Sequence, residues 1–431
     1  MYAEALRAQT RNVGAGIVGN VMEWYDFSVY GYFAASIGRH FFPAEDAVSS
    51  LLAAFGVFAA GFLMRPVGSL VFGHIGDRYG RKRALTASVL LMAIPTFLIG
   101  VLPTYAEIGV TASALLVLMR LLQGLSVGGE YTTSSIFIVE RAAAGRRGLL
   151  GSFIEVGACS GTLLGSAVGA TITSLLDRAA VESWGWRIPF LIGITVGAVG
   201  IYIRRNLIDD SAVTGEQSSV TAPVKEAFRN EWRMIVRLVA LGAVGAVGFY
   251  MCFVYITTYL RQIDHIAQSK ALDINTISMA VLLLLLAPVG ALSDRFGRKP
   301  LLLAASGGMF VLAWPLFWML HHSEFGVILL GQVGFAVLSA CFWGALPVTM
   351  VELVPHRLRC TVLSVGYNAG MAVLGGLTPI VAVYTITRSQ YDLSPAFLLM
   401  TAAAVSFVVI AGLRETYRVA LSSPAAVADA A

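Results

Sequence analysis

Twelve apolar stretches divide this chain, near residues 13–38, 50–75, 84–103, 108–140, 148–176, 187–205, 234–260, 271–292, 300–320, 326–352, 358–386 and 394–414. A helix rises about 1.5 Å per residue, and a bilayer's hydrocarbon core is roughly 30 Å thick, so a span needs about 20 apolar residues. Soluble proteins carry roughly 25% charged residues; here 13% are charged and 57% hydrophobic. The mean hydropathy of +0.76 excludes a water-soluble globule. The expected fold is an all-α integral membrane protein of twelve transmembrane helices. Gly157, Gly161, Gly165 and Gly169 recur every fourth residue. That spacing predicts one helix face of small residues, open to close approach by a neighbouring helix.

One loop pattern occurs twice, half a chain length apart. It runs Gly73-His-Ile-Gly-Asp77-Arg78-Tyr-Gly80-Arg81-Lys82, then Gly290-Ala-Leu-Ser-Asp294-Arg295-Phe-Gly297-Arg298-Lys299. Each copy lies between two apolar segments. The duplication implies two similar membrane halves joined head to tail, an arrangement found in secondary transporters. Residues 1–206 form the first half, 207–232 a polar linker, 233–418 the second half and 419–431 a short disordered tail. Within each loop, Gly80 and Gly297 permit a tight turn. Arg78, Arg81, Arg295 and Arg298 can bond exposed carbonyls at helix ends. Asp77 and Asp294 can pair with a basic residue of a neighbouring helix. Such a cluster would hold one side closed, as a gate that must break when that side opens.

Lys and Arg concentrate on the side bearing these loops. The opposite loops hold only Arg39, Arg178, Arg187, Arg261, Lys270 and Arg388. The positive-inside rule then puts both termini and the loop motifs in the cytoplasm. The first apolar stretch contains Glu23 and Asp26, so it reads as a retained helix and not as a cleaved signal. Cys159, Cys252, Cys341 and Cys360 are scattered and suggest neither disulfide framework nor metal site. There is no Ser/His/Asp constellation and no nucleotide loop, and His74, His321 and His322 sit at loop edges. The expectation is therefore a non-enzyme without cofactor, metal or nucleic-acid partner: a monomer in a lipid bilayer, such as a bacterial inner membrane.

A charged residue inside a span is costly and marks a functional site by default. The first half has Glu23, Asp26, Arg65, Arg120, Glu130 and Glu155; the spans of the second half have almost none. Glu23, Arg65 and Glu130 each fall roughly 15 Å from the motif-bearing end of their helices, so they could meet. Glu23 and Asp26 share a helix face. Glu23, Asp26 and Glu130 are proton-coupling candidates: an acid charged while paired with arginine can take a proton when its partner is engaged elsewhere. Arg65 and Arg120 keep their charge and suit a substrate carboxylate, although pairing of Arg120 with Asp26 or Glu130 is an equal alternative. In the second half, Tyr367, Asn368 and Trp343 are candidates for lining the site, with Tyr250, Tyr255, Tyr259 and Gln332 as further polar groups.

The doubled loop resembles the signature of the major facilitator superfamily. More narrowly, four stretches resemble its metabolite:proton symporter family: Gly19-Asn-Val-Met-Glu23-Trp-Tyr-Asp26-Phe, Phe62-Leu-Met-Arg65-Pro66-Val-Gly68, Arg120-Leu-Leu-Gln123-Gly124-Leu-Ser-Val-Gly128-Gly129-Glu130-Tyr131 and Trp184-Gly-Trp186-Arg187-Ile-Pro189-Phe. The resemblance implies two six-helix bundles around a central cavity, alternating access and proton coupling. Gly151-Ser-Phe-Ile-Glu155-Val-Gly157 resembles the proline and betaine carriers, and so does the stretch opening on Glu130-Tyr131. An acid at 155 favours a substrate with an amine, which makes Glu155 and Tyr131 substrate-binding candidates. The implied function is proton-coupled import of a small carboxylate-bearing metabolite, with a zwitterion such as proline or glycine betaine ahead of a di- or tricarboxylate such as α-ketoglutarate or citrate. A channel lacks a filter loop or charge ring here. An efflux antiporter of this superfamily usually has a Gly-Pro motif in its fifth helix, where this chain reads Gly161-Thr-Leu-Leu-Gly165-Ser-Ala-Val-Gly169.

Overall fold

A computed structural model describes residues 20–79, 81–127, 130–143, 145–207, 228–355, 358–418 and 421. It is all-helical over these residues. The first six helices are α1 (20–41, with a turn at Phe33), α2 (Ala47–Tyr79, broken at Met64), α3 (Arg81–Val101), α4 (Val110–Ser126 continuing as Glu130–Arg141), α5 (Arg147–Leu175) and α6 (Ile188–Leu207). The second six are α7 (Trp232–Gln262), α8 (Gln268–Phe296), α9 (Arg298–Leu320), α10 (Phe325–Trp343 continuing as Leu346–Leu353), α11 (Arg359–Ser389) and α12 (Ser394–Ala411). Nine of the described helical runs are long and apolar enough to cross a membrane; two shorter apolar runs belong to α3 and α6, and α1 completes the twelve. The expected twelve-helix architecture is thus present, as two six-helix bundles. Residues 208–227 of the proposed linker and most of the tail fall outside the described residues.

Small residues set how closely the helices approach. Gly61 of α2 faces the backbone of α4, where an added Cβ would lie 3.1 Å from the Arg120 carbonyl oxygen. That contact seats two charged helices side by side. The glycine stripe of α5 behaves as its spacing predicts. Gly161 and Gly165 lie on the backbone and side chains of α1, and Gly169 meets Leu272 of α8. α5 and α8 run against one another along their lengths and join the two halves. Near the motif-bearing face they cross glycine to glycine, and a Cβ on Gly290 would come 2.6 Å from the Gly148 carbonyl oxygen.

Two helices of the second half contain a wider turn with i→i+5 geometry: Tyr250–Tyr255 in α7 and Met371–Gly375 in α11. Such insertions frequently mark functional positions in helices. Here they meet, because the Tyr250 ring lies against Gly375, 2.7 Å from where a Cβ would be. The site described next is built around this contact.

Candidate functional site

The first-half charges resolve into buried pairs. Glu23 bonds Arg65, and both side chains are 2% exposed. One helical turn along α1, Asp26 accepts from Arg120 at 3.3 Å. Arg120 also donates to Gln123 Oε1 at 2.8 Å, Gln123 donates to Thr96 at 2.9 Å, and Thr96 donates to Asp26 at 2.7 Å, which closes a ring of four side chains. Thr96 and Gln123 were not among the residues expected from sequence. A neutral side chain on an apolar helix gives no signal of its own until its charged neighbours are placed.

The guanidinium faces are covered by aromatic rings. Arg65 lies over Phe62 at 4.9 Å, and Arg120 lies over Tyr30 at 4.1 Å and Phe27 at 4.8 Å. Ring faces attract cations, most strongly away from water. Their edges are less complete. Nε and Nη1 of Arg65, and Nε and Nη2 of Arg120, are buried without a hydrogen-bond partner. The Nε/Nη2 edge of an arginine is one of the forks that receive a carboxylate in bidentate fashion; that edge is free on Arg120, while on Arg65 the Glu23 bond takes Nη2 and leaves Nε and Nη1 as separate donors. Both arginines therefore hold their own acid and keep donors in reserve. A buried donor left unsatisfied is costly, so such a pair of arginines is poised for an anionic guest.

Glu155 is different. It accepts a hydrogen bond from the Tyr131 hydroxyl, and no cation pairs with it among the described residues. Tyr131 in turn stacks on Tyr367 of α11, centroids 4.2 Å apart and planes 5° from parallel, so the contact crosses from the first half to the second. The Tyr367 hydroxyl is buried without a partner. Tyr250 and Tyr367 each lie within electrostatic range of both Arg65 and Glu155. The structure thus brings an arginine with free donors and an unpaired acid to the same two tyrosines.

The other expected site residues are placed as follows. Trp343 packs edge-on against Phe249, which packs against Trp24, so it supports the site from one ring away and does not face the charges. Asn368 is buried, and its amide donates to the Ser364 carbonyl in its own helix. The side chain of Glu130 lies outside the described residues. Trp24, absent from the expected set, stacks on Tyr250 at 6.0 Å and has an unpartnered indole nitrogen.

On the motif-bearing face, Asp294 has both a basic partner on the next helix and two backbone partners. It accepts from the backbone N–H groups of Gly148 and Leu149 at 2.8 and 2.9 Å, at the N-terminus of α5, and from Arg298 at the start of α9 at 2.9 Å. An anion there also meets the positive end of the helix dipole. Arg298 bonds carboxylates, Asp294 and Glu352, and it is Lys299 that donates to the carbonyls of Ala411 and Leu413 at the end of α12. Gly297 has φ +101, as a tight turn requires, while Arg295 is exposed. Arg147 reaches Glu352 at 3.7 Å, and Arg359 bonds Glu140, both across the halves. Gly80 and the side chains of Asp77, Arg78 and Arg81 lie outside the described residues.

The opposite face is bridged as well. Glu182, in the short helix Arg178–Ser183, bonds Arg39 at the end of α1 and Arg261 at the end of α7, the latter at 2.7 Å. Burial would raise the Glu182 pKa, but the hydrogen bonds and charges of Arg39 and Arg261 outweigh it and hold the carboxylate below its ordinary range. Tyr32 donates to the Phe253 carbonyl at 3.0 Å and accepts from Asn275 at 2.9 Å. Cross-half bonds thus close the protein on both sides of the buried charges.

A family model described as Major Facilitator Superfamily matches residues 16–379. The chain is 36% identical over 416 residues to the proline/betaine transporter of Escherichia coli strain K12, covering 94% of this chain and 83% of that protein. It is 35% identical to the glycine betaine/proline/ectoine/pipecolic acid transporter OusA of Dickeya dadantii strain 3937, with 94% and 83% covered. Among solved structures, the E. coli xylose transporter XylE in a partially occluded inward-open conformation superposes with a TM-score of 0.76 at 18% identity, over 95% of this chain and 99% of that one. At that identity the likeness concerns the fold.

Proposed function

The chain belongs to the Major Facilitator Superfamily, and on that premise we propose that it is a proton-coupled symporter that imports a small zwitterion of the proline or glycine betaine kind by alternating access. The observation that carries this reading is that Glu155 bonds Tyr131, whose ring stacks on Tyr367, and that Arg65 acts electrostatically on the same Tyr367 and on Tyr250. A zwitterion has a carboxylate for the arginine donors and an ammonium for the unpaired acid. A dicarboxylate would satisfy the arginines but would place a second anion near Glu155 (a like-charge contact in low dielectric). The relatives named for proline, betaine, ectoine and pipecolic acid handle molecules with that pairing of charges.

Proton coupling follows from the Glu23–Arg65 pair. When the substrate carboxylate takes Arg65, Glu23 loses its counter-charge, and a buried carboxylate without one favours its neutral form. Substrate and proton then load together, one displacing the ion pair and the other neutralising what remains. The Asp26–Arg120 pair is locked by Thr96 and Gln123 and holds the second arginine in place. Both termini and the Asp294 cluster are assigned to the cytoplasm, where that cluster and its first-half counterpart at Asp77, Arg78, Gly80 and Arg81 serve as the inner gate. The halves are 1–206 and 233–418, the working unit is a monomer, and the membrane is the bacterial inner one.

Purified protein in proteoliposomes should accumulate radiolabelled proline or glycine betaine when the lumen is alkaline. Accumulation that persists after the proton gradient is collapsed would refute the coupling. Selective uptake of α-ketoglutarate or citrate would refute the substrate class.

A further inference from the structure

We propose that Tyr131 and Tyr367 are two jaws that close on the substrate's ammonium group, and that their direct stacking stands in for that group when the carrier is empty. The inference rests on the zwitterion reading above. One ring comes from α4 in the first half and the other from α11 in the second, and they lie face to face at 4.2 Å. Ring faces are where a cation binds, within about 6 Å of each centroid. A cation between these two faces would therefore touch both halves at once. Glu155 holds the Tyr131 ring by its hydroxyl, so the acid and the ring face are presented together. The Tyr367 hydroxyl is buried, and the side chain it neighbours for hydrogen bonding is Tyr131 itself, so among the described residues no hydrogen bond outside the stack ties that ring in place.

Two consequences follow. A symporter must return empty, and the empty site needs a closed packing of its own. The ring stack supplies one without substrate. The second concerns chemistry at nitrogen. A secondary ammonium, as in proline, carries N–H groups that can donate to Glu155. A quaternary ammonium, as in glycine betaine, carries none and depends on ring faces and charge. The rings and the acid should therefore matter unequally for the two substrates.

The test compares wild type, Tyr367→Leu, Tyr367→Phe and Glu155→Gln in proteoliposomes. Each is assayed for net uptake and for exchange of labelled against unlabelled substrate, with proline and with glycine betaine. Tyr367→Leu should raise the KM for glycine betaine at least tenfold more than that for proline, and Tyr367→Phe, which keeps the ring face, should restore it. Glu155→Gln should show the reverse preference. Because the stack serves the empty carrier, Tyr367→Leu should also slow net uptake more than exchange. Equal loss for both substrates, or an unchanged ratio of net uptake to exchange, would overturn the proposal while leaving the transport function standing. Transport of neither substrate by the wild-type protein would overturn the zwitterion reading and this inference with it.

Discussion

Glu182 offers a test in which one residue has two identical partners with different consequences. Arg39 and Glu182 belong to the same half, so their bond survives any movement between halves. Arg261 belongs to the other half, so its bond to Glu182 must break when that face opens. The Arg261 and Glu182 side chains are 17% and 25% exposed. Charge-assisted hydrogen bonds contribute roughly 1.5–3 kcal/mol and exposed ion pairs about 0–1 kcal/mol, so a partly exposed arm is worth about 1–2 kcal/mol. Arg261→Ala should therefore shift the equilibrium toward opening on that face by roughly 5- to 30-fold. Arg39→Ala should change it less than about twofold, because at 43% exposure it adds little and crosses nothing. Pulsed electron resonance between spin labels on the loops after α1 and α7 would read the two populations. In a double-mutant cycle, Arg261→Ala and Glu182→Gln should be strongly non-additive. If Arg39→Ala opened that face as much as Arg261→Ala, or if the cycle were additive, the assignment of Glu182 as an inter-half latch would be wrong.

Other expectations are as direct. Arg120→Met should lower stability by about 3–5 kcal/mol, because it leaves Asp26 buried without its cation, and adding Asp26→Asn should recover much of that loss in detergent thermal melts. Asp264, past the end of α7, is raised from 3.8 to about 6 by burial, with the opposing charge of His321 only partly offsetting it. A carboxyl whose folded pKa is raised favours the folded state most below its unfolded pKa, and that contribution is lost as pH rises from about 4 to about 6. Asp264→Asn should abolish this segment of the Tm against pH curve; a curve that kept it would assign the titration to another group. Gly297→Ala should destabilise by about 1–3 kcal/mol, since φ is +101 and its Cβ would lie 2.5 Å from the Glu415 carboxylate, and an unchanged melting temperature would show that the turn relaxes.

Much of the architecture was readable from the sequence because membranes enforce it. Long apolar segments must be helices, and a repeated loop must sit at equivalent ends. The intramembrane charges were equally visible, since each is expensive unless it has a task. The pairing was not. Glu23, Arg65 and Glu130 share a depth in the bilayer, but depth leaves rotation about each helix axis free. The structure resolves the pairing: Arg65 goes to Glu23, and of the two acids open to Arg120 it takes Asp26. Thr96 and Gln123 were illegible for the same reason, as was the role of Asp294 on the α5 N-terminus, because backbone N–H groups leave no trace in a sequence. Glu182 lies in a short polar helix between α5 and α6, and nothing local distinguishes it from any other surface acid.

The glycine crossing of α5 and α8 has a mechanical consequence. Side chains between two moving bodies act as springs, since rotamers can shift to absorb a few tenths of an ångström. At Gly148 and Gly290 the two backbones face each other directly, flanked by the short side chains of Ser152 and Ser293 and by the Arg298 guanidinium, which is itself held by Asp294. With so little room to give, the crossing should act as an end-stop for closure on that face. The Asp294 bonds to Gly148 and Leu149 form at that stop, so a latch made of short hydrogen bonds meets its partners in register on every cycle.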